Sequence, residues 1–245
     1  MESIKGQSRK KTNTEHGDNF AMDLSKASVR DLNQYLHHKI PKDSTQHITI
    51  TNPDGAHNIA VGMNAPAHVN VKGNVGYYAA GMNQLAEITI HGNAGTGVAE
   101  NMMSGTVRVK GFASASAGAT GHGGTLIIEG DASLRCGISM KGIDIIVGGD
   151  VGSYSAFMAQ AGNMLICGNA GDALGDSLYE AVIYVRGKVR SLGADAQEQK
   201  MTQNDLNKVT ELLKRAGFDY NPKDFKRIAS AKKLYHWNAD ANQEY

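Results

Sequence analysis

The chain has 245 residues, 41% of them hydrophobic and 20% charged, which is the balance of a soluble globular protein and not of a disordered one. Its 25 lysines and arginines nearly match its 24 acidic residues, so a net charge of +1 supplies no field for gathering nucleic acid or an anionic membrane. The 29 glycines, against only 4 prolines, exceed the usual share of about 7% and require a structural cause.

From the amino terminus, residues 1–22 are polar and are expected to form a disordered tail. They lack the apolar core of a signal peptide, and nowhere does an apolar run reach the ~20 residues that span a bilayer, so a soluble, cytoplasmic protein is expected. Residues 23–55 read as an amino-terminal helix and cap. Ser28-Val-Arg-Asp31 is a capping box leading into Leu32, Tyr35 and Leu36 at helical spacing, and Ile48-Thr-Ile50 followed by Asn52-Pro-Asp-Gly55 reads as an irregular first coil.

Over residues 56–196 the dominant signal is an internal repeat. Gly73, Gly92, Gly111, Gly130, Gly149, Gly168 and Gly187 are each 19 positions from the next, with no insertion or deletion. Two positions before each glycine stand Val71, Ile90, Val109, Ile128, Val147, Ile166 and Val185, and four before it stand Val69, Ile88, Val107, Leu126, Ile145, Met164 and Ile183. Small residues follow: Val75, Ala94, Ala113, Ala132, Val151, Ala170 and Val189 two positions after, and Ala80, Ala99, Gly118, Gly137, Ala156, Gly175 and Ala194 seven positions after. Period-two alternation broken by a Gly-Asn or Gly-Asp corner reads as one coil per repeat. A single coil cannot bury its inner face, so coils must stack at the ~4.8 Å spacing of paired strands. The expected fold is therefore all-β, a right-handed parallel β-helix of about seven 19-residue coils, ~30–35 Å long. Its glycines are expected to supply backbone dihedrals closed to other residues, and its small columns to fit a narrow interior.

Residues 197–245 read as a helical extension: Thr202 caps a helix carrying Leu206, Val209, Leu212 and Leu213, Gly217 ends it, and a second short helix is expected from Pro222 to Trp237 with Phe225 and Ile228 on one side.

Motifs of chemistry do not assemble. Gly92-Asn-Ala-Gly95-Thr-Gly97 lacks the spacing and the βαβ context of a dinucleotide loop, and His122-Gly123-Gly124 has no nucleophile elbow to serve. Cys136 and Cys167 occupy different columns and form no C-x-x-C unit, so free thiols and no metal site are expected. Glu100, Arg135, Asp176 and Glu180 break their columns by being charged. Together with Asn101, His122 and Lys141 they are the candidate interface or channel residues, and no catalytic, cofactor-binding or metal-ligating residue is assigned.

The register Val-x-Val-x-Gly-Asn-x-Gly, with the segments Gly73-Asn-Val-Gly-Tyr-Tyr-Ala-Ala-Gly-Met-Asn83, Gly97-Val-Ala-Glu-Asn-Met-Met-Ser-Gly105 and Ser133-Leu-Arg-Cys-Gly-Ile-Ser-Met-Lys-Gly142, resembles the glycine-repeat β-helix domain at the carboxyl end of the glutamate synthase large subunit. It resembles more closely the stand-alone version, the β-helix subunit of N-methylglutamate synthase (methylamine–glutamate N-methyltransferase). The resemblance implies a non-catalytic structural subunit of a hetero-oligomer that makes N-methylglutamate from glutamate and methylamine with release of ammonia. It implies two partners, an amidotransferase-like subunit and a flavin-binding glutamate-synthase-like subunit, the latter carrying FMN and an iron–sulfur cluster, with no cofactor on this chain. A sister complex handling ammonia, or an independent carbohydrate-active or carbohydrate-binding β-helix, are the alternatives.

Overall fold

The computed structural model describes residues 19–43 and 45–232. In chain order these form β1 (Asn19–Asp23), α1 (Val29–His38), β2 (Gln46–Thr51), β3 (Ala67–Lys72), β4 (Glu87–Ile90), β5 (Thr106–Val109), β6 (Thr125–Ile128), β7 (Lys141–Val147), β8 (Ala161–Ile166), β9 (Val182–Val185), β10 (Ala196–Gln199), α2 (Gln203–Ala216), a 3-10 turn (Pro222–Asp224) and β11 (Lys226–Ser230). The strands make one sheet in the order β1-β2-β3-β4-β5-β6-β7-β8-β9-β11-β10, parallel from β1 to β9. This is a parallel β-solenoid.

The repeat register is the strand register. Val71 pairs with Ile90, Ile90 with Val109, Val109 with Ile128, and so on through Val147 and Ile166 to Val185, each step moving 19 residues along the chain. All seven are buried to within 1% exposure and face one continuous core. A second column follows just past the glycine corner, where Val75, Ala94, Ala113, Ala132, Val151, Ala170 and Val189 are joined by parallel bridges.

The corner glycines owe their place to contact more than to dihedral angle, which corrects the sequence-based expectation. Of the seven, Gly73 alone has a positive φ, at 142°. A Cβ on Gly92 would lie 2.6 Å from the Asn74 Oδ1 and from the carbonyl carbon of Gly73, a separation no real side chain tolerates. The oxygen it would meet is at work: Asn74 Oδ1 accepts from the backbone N–H of Asn93 at 2.8 Å, and Asn93 Oδ1 accepts from that of Phe112 at 3.0 Å. Phe112 interrupts this ladder, and Asp131, Asp150 and Asn169 resume it to Asp150, Asn169 and Lys188 at 2.7–2.9 Å. Left-handed backbone instead falls at the positions five, seven and nine after the glycine. At the seventh, Ala80, Ala99 and Ala156 have φ of 56° and Gly118, Gly137 and Gly175 of 67°, so that column is small because it is both buried and left-handed.

Each end of the stack is closed by a different device. At the amino end, the Ser28–Asp31 capping box starts α1, whose Leu32 and Leu36 plug the interior. Asn33 of α1 donates to Asn58 O at 2.8 Å and accepts from Ala60 N–H at 3.1 Å, so the helix satisfies the terminal coil's backbone groups as well as its apolar face. At the carboxyl end, β11 pairs antiparallel with β9 and β10 antiparallel with β11, which stops parallel propagation.

Outside the sheet, α2 lies over the carboxyl-terminal coils. The column three before each glycine is Asn70, Thr89 and Arg108 in the early coils and becomes Ile127, Ile146, Leu165 and Tyr184 in the later ones. These four form a second core with Val209, Leu212, Leu213, Ala216 and Phe225. The helix runs Gln203–Ala216 between a Thr202–Asp205 capping box and the left-handed Gly217.

Two expectations at the termini are corrected. Pro222–Trp237 is not a helix: Pro222 opens a 3-10 turn and β11 follows, with residues from 233 onward outside the described residues. Phe225 and Ile228 are three apart, which places them on one side of a helix but on opposite sides of an extended chain. Phe225 accordingly joins the core beneath α2, while Ile228 joins the interior. At the other end, the last four residues of the expected 1–22 tail belong to β1; residues 1–18 lie outside the described residues.

Replacement of Ala132, 3% exposed, or of Gly137, whose Cβ would press on Met164 and Ile145, by leucine is expected to cost about 1–3 kcal/mol or more. Lys141→Leu on the exposed surface should change stability little. Thermal melts of the three variants decide it, and equal losses would contradict the inside–outside assignment.

Candidate functional site

Coils are numbered by their reference glycine, from coil one at Gly73 to coil six at Gly168. In coils two to five the chain after the glycine folds into two overlapping turns, seen in coil two as Glu100 N–H to Gly97 O and Met102 N–H to Ala99 O. These turns form one corner of the prism, on which the fifth, eighth and ninth residues lie. Glu100 and Asn101 sit there in coil two, both half-buried. Asn101 accepts from Thr120 Oγ at 2.6 Å, the one place among the described residues where the ninth-position column forms a side-chain ladder. Burial pushes the Glu100 carboxyl up from its ordinary value. Arg135 stands on the same corner in coil four, exposed, with φ of 58°.

His122 and Lys141 occupy one column on adjacent coils, both exposed, each fixed through its backbone N–H to the coil before it. Asp176 shares the Glu100 column four coils further on, ~19 Å away by strand spacing, and accepts from Ser177 Oγ at 2.9 Å. Glu180 is exposed in the same coil as Asp176. The structure thus brings together Glu100 with Asn101 and His122 with Lys141, and sets the other residues apart from them along the stack.

Burial raises the pKa of both thiols to about 12, so neither is a thiolate at neutral pH. Cys136 lies in the interior and Cys167 in the outer core beneath α2, on opposite sides of the wall. Among the described residues no group of three or more His, Cys, Asp or Glu is placed to hold a metal ion, and no helix is long and apolar enough to cross a membrane. An open hollow of about 790 Å³ lies at the amino-terminal corner between Leu24, Pro53 and Asn74, with Asp54 and Lys72 at its lining.

Sequence reasoning missed the charged groups on the sheet's outer surface. The column immediately before the glycine holds Lys72, His91, Lys110 and Glu129, a signal present in the repeat register. Burial, then the charges of Lys72 and Lys110, hold His91 below its ordinary value, and its Nε2 lies 3.2 Å from Lys72 Nζ. Arg108, pairing with Glu129 at 2.8 Å, donates to the carbonyls of Ala216 at 3.0 Å and Arg215 at 3.2 Å, and so places a cation at the negative end of α2. Arg215 in turn reaches Asp144 at 2.8 Å. At the other end of α2, Asp205 is held by Thr202, by the Tyr184 hydroxyl at 2.8 Å and by Arg227 at 3.1 Å. Burial pushes the Asp205 carboxyl up, but these donors outweigh it and leave it below its ordinary value. These contacts fasten a helix; they do not converge on a space where a substrate atom could react.

Fold and surface together define a glycine-repeat β-solenoid. No family model matches the chain. Over 225 residues it is 52% identical to Protein GlxC of Rhizobium meliloti (strain 1021), a match covering 91% of this chain and 99% of that relative. The chain belongs to the GlxC family.

Asp205→Asn is expected to lower stability by about 1–3 kcal/mol at pH 7, because it removes a charged acceptor from a part-buried network. A carboxylate whose folded value is depressed contributes stability above its unfolded value near pH ~4 and loses it as pH falls through the folded value. The gap between wild type and variant should therefore close below pH ~4. Urea midpoints at neutral and acid pH measure this; a gap independent of pH would contradict it.

Proposed function

We propose that this chain is the non-catalytic β-solenoid subunit of a glutamate-synthase-like complex. It holds an amidotransferase-like subunit and a flavin-binding subunit in fixed relation. The observation that carries this reading is the unbroken 19-residue glycine register, with corners Gly-Asn-x-Gly in coils one and two and Gly-Asp or Gly-Asn in coils four to six, which resembles the glycine-repeat domain of glutamate synthase. The relationship to Protein GlxC over nearly the whole chain supports a role that involves the entire solenoid and its α2 extension.

The chemistry of the chain is consistent with scaffolding. Two deeply buried cysteines on opposite sides of one wall do not fit an iron–sulfur cluster, which takes three or four convergent thiolates. The FMN and the cluster are therefore assigned to the flavin-binding partner. The reaction proposed for the complex joins methylamine to glutamate, giving N-methylglutamate and ammonia, as the closer resemblance implies. This chain contributes rigidity: neighbouring coils are tied by backbone hydrogen bonds at nearly every position, so groups docked several coils apart keep their separation.

Expressed alone, the chain should be colourless and turn over neither glutamate nor methylamine. Co-expressed with its two partners it should co-purify, and omitting it should abolish or uncouple methylamine-dependent N-methylglutamate formation. Product assays with methylamine and with ammonia, each with and without the chain, distinguish the amines. Full activity in its absence would refute the scaffold role.

A further inference from the structure

Ten large apolar side chains among the described residues are 39–58% exposed, and none of them lies on a strand of the sheet. Four form a pattern. Tyr78 and Met82 project from the corner of coil one, and Tyr154 and Met158 from the same two columns of coil five, 76 residues on. All four have left-handed φ of 52–58°, a conformation that L side chains adopt at a cost, yet their side chains are not used in the interior. Between the pairs the corner is low: Gly97, Ser116, Asn101, Thr120 and Ser139 occupy those columns in coils two to four. Two charges flank the low stretch, Glu100 in coil two and Arg135 in coil four. The Glu100 carboxylate leans over Gly97, so close that a Cβ there would lie 2.8 Å from its Oε2. It therefore occupies the tyrosine column, the one that holds Arg135 two coils further on. Among the described residues neither charged side chain has a hydrogen bond or an ion pair, although Glu100 is half-buried and burial raises its carboxyl.

We propose that this corner is the interface of a twofold dimer with a second copy of the chain. The twofold axis lies in the plane of contact and crosses the corner at coil three, perpendicular to the stack. It sets the two prisms antiparallel, with coil one against coil five, coil two against coil four, and each column against itself. Tyr78 then meets Tyr154 of the second copy, ring to ring, and Met82 meets its Met158, where flexible thioethers fill the gap between the two surfaces. Gly97 meets Arg135 of the second copy. The Glu100 carboxylate and the Tyr78 ring already fill the space that a side chain on Gly97 would take, so the guanidinium meets them at the surface above that glycine and each unpaired charge gains its opposite. Ser116 and Thr120 lie nearest the axis, where small side chains permit close approach. The tyrosine, methionine and charged groups on one half of the corner find their complements on the other half of the same sequence, which is the condition for an isologous contact and is not required of a surface shaped for a different protein. A half-exposed aromatic can still bury about 75–125 Å². The four anchors, with the adjoining Met103 and Leu134, thus supply much of the ~800 Å² that each partner of a stable interface contributes.

The test needs only the full chain. Light scattering coupled to size-exclusion chromatography, over a dilution series, should give twice the chain mass of 26.1 kDa. Arg135→Glu sets two carboxylates against each other at both symmetric contacts, and Glu100→Arg does the same with two cations. Each is expected to weaken association at least ~10-fold. Because both side chains reach the surface, each variant should keep the wild-type circular dichroism spectrum. When the two variants are mixed, the arginine introduced at position 100 of one chain faces the glutamate introduced at position 135 of the other. The second contact retains the native Glu100 and Arg135, so the heterodimer should recover wild-type affinity. A wild-type monomer at all dilutions overturns the proposal, as does a dimer unaffected by both variants. A monomer that nevertheless assembles with the amidotransferase-like and flavin-binding subunits overturns the dimer alone and leaves the scaffold reading intact.

Discussion

The structure depends on how closely one coil can approach the next at the glycine corner. There the backbone of coil two comes so near coil one that a Cβ on Gly92 would overlap both the Gly73 backbone and the Asn74 side chain. That proximity lets Asn74 reach the N–H of Asn93 and hold the corner shut. With the corner shut, successive strands fall into register at paired-strand spacing, and the two apolar columns of each strand align into continuous inner stacks. A one-residue insertion in any coil would turn that coil's inner face outward, which accounts for a period kept without exception from Gly73 to Gly187.

The same regularity leaves the outer surface free to vary. Because a residue's column decides whether it points in or out, substitutions in the outward columns can specialise different stretches of the prism without disturbing the core. The sheet surface uses this freedom: polar residues cover the early coils, and from Ile127 onward the column turns apolar and receives α2. Arg108 stands at the boundary, capping the helix with its guanidinium while its own strand remains uncovered. The large exposed residues keep to the corners and loops, away from the sheet.

How much of this is legible in the sequence follows from which signals are periodic. Strand positions, inner columns, the Ser28–Asp31 capping box and the Thr202 cap can be read, because each is a local or 19-residue pattern. The reason for the corner glycines cannot, since Asn74 and Gly92 meet only once coils are stacked, and a single sequence does not separate contact from dihedral preference. The segment after Pro222 reads as a helix because Phe225 and Ile228 satisfy a helical spacing as well as they satisfy two faces of a strand, and the deciding factor, the open edge of β9, is tertiary. Glu100, Arg135, Asp176 and Glu180 stand out as charged departures from their columns. The Asp205 and Arg215 networks do not, because their partners lie in other elements far along the chain.

The antiparallel closure at the carboxyl end has a consequence for how the chain is made. Each parallel coil of the repeat can settle on its predecessor as soon as its residues emerge during synthesis, since its partners lie about one repeat before it. Among the described strands β11 breaks this order: Lys226 pairs with Val185, 41 residues back, after α2 has been made and laid across the outer wall. Until then the rim of β9 is bare, a template that any passing strand could extend. The growing protein is thus a stack with one sticky end until β11 is made, and that strand is what turns an open-ended polymerising geometry into a molecule of defined length.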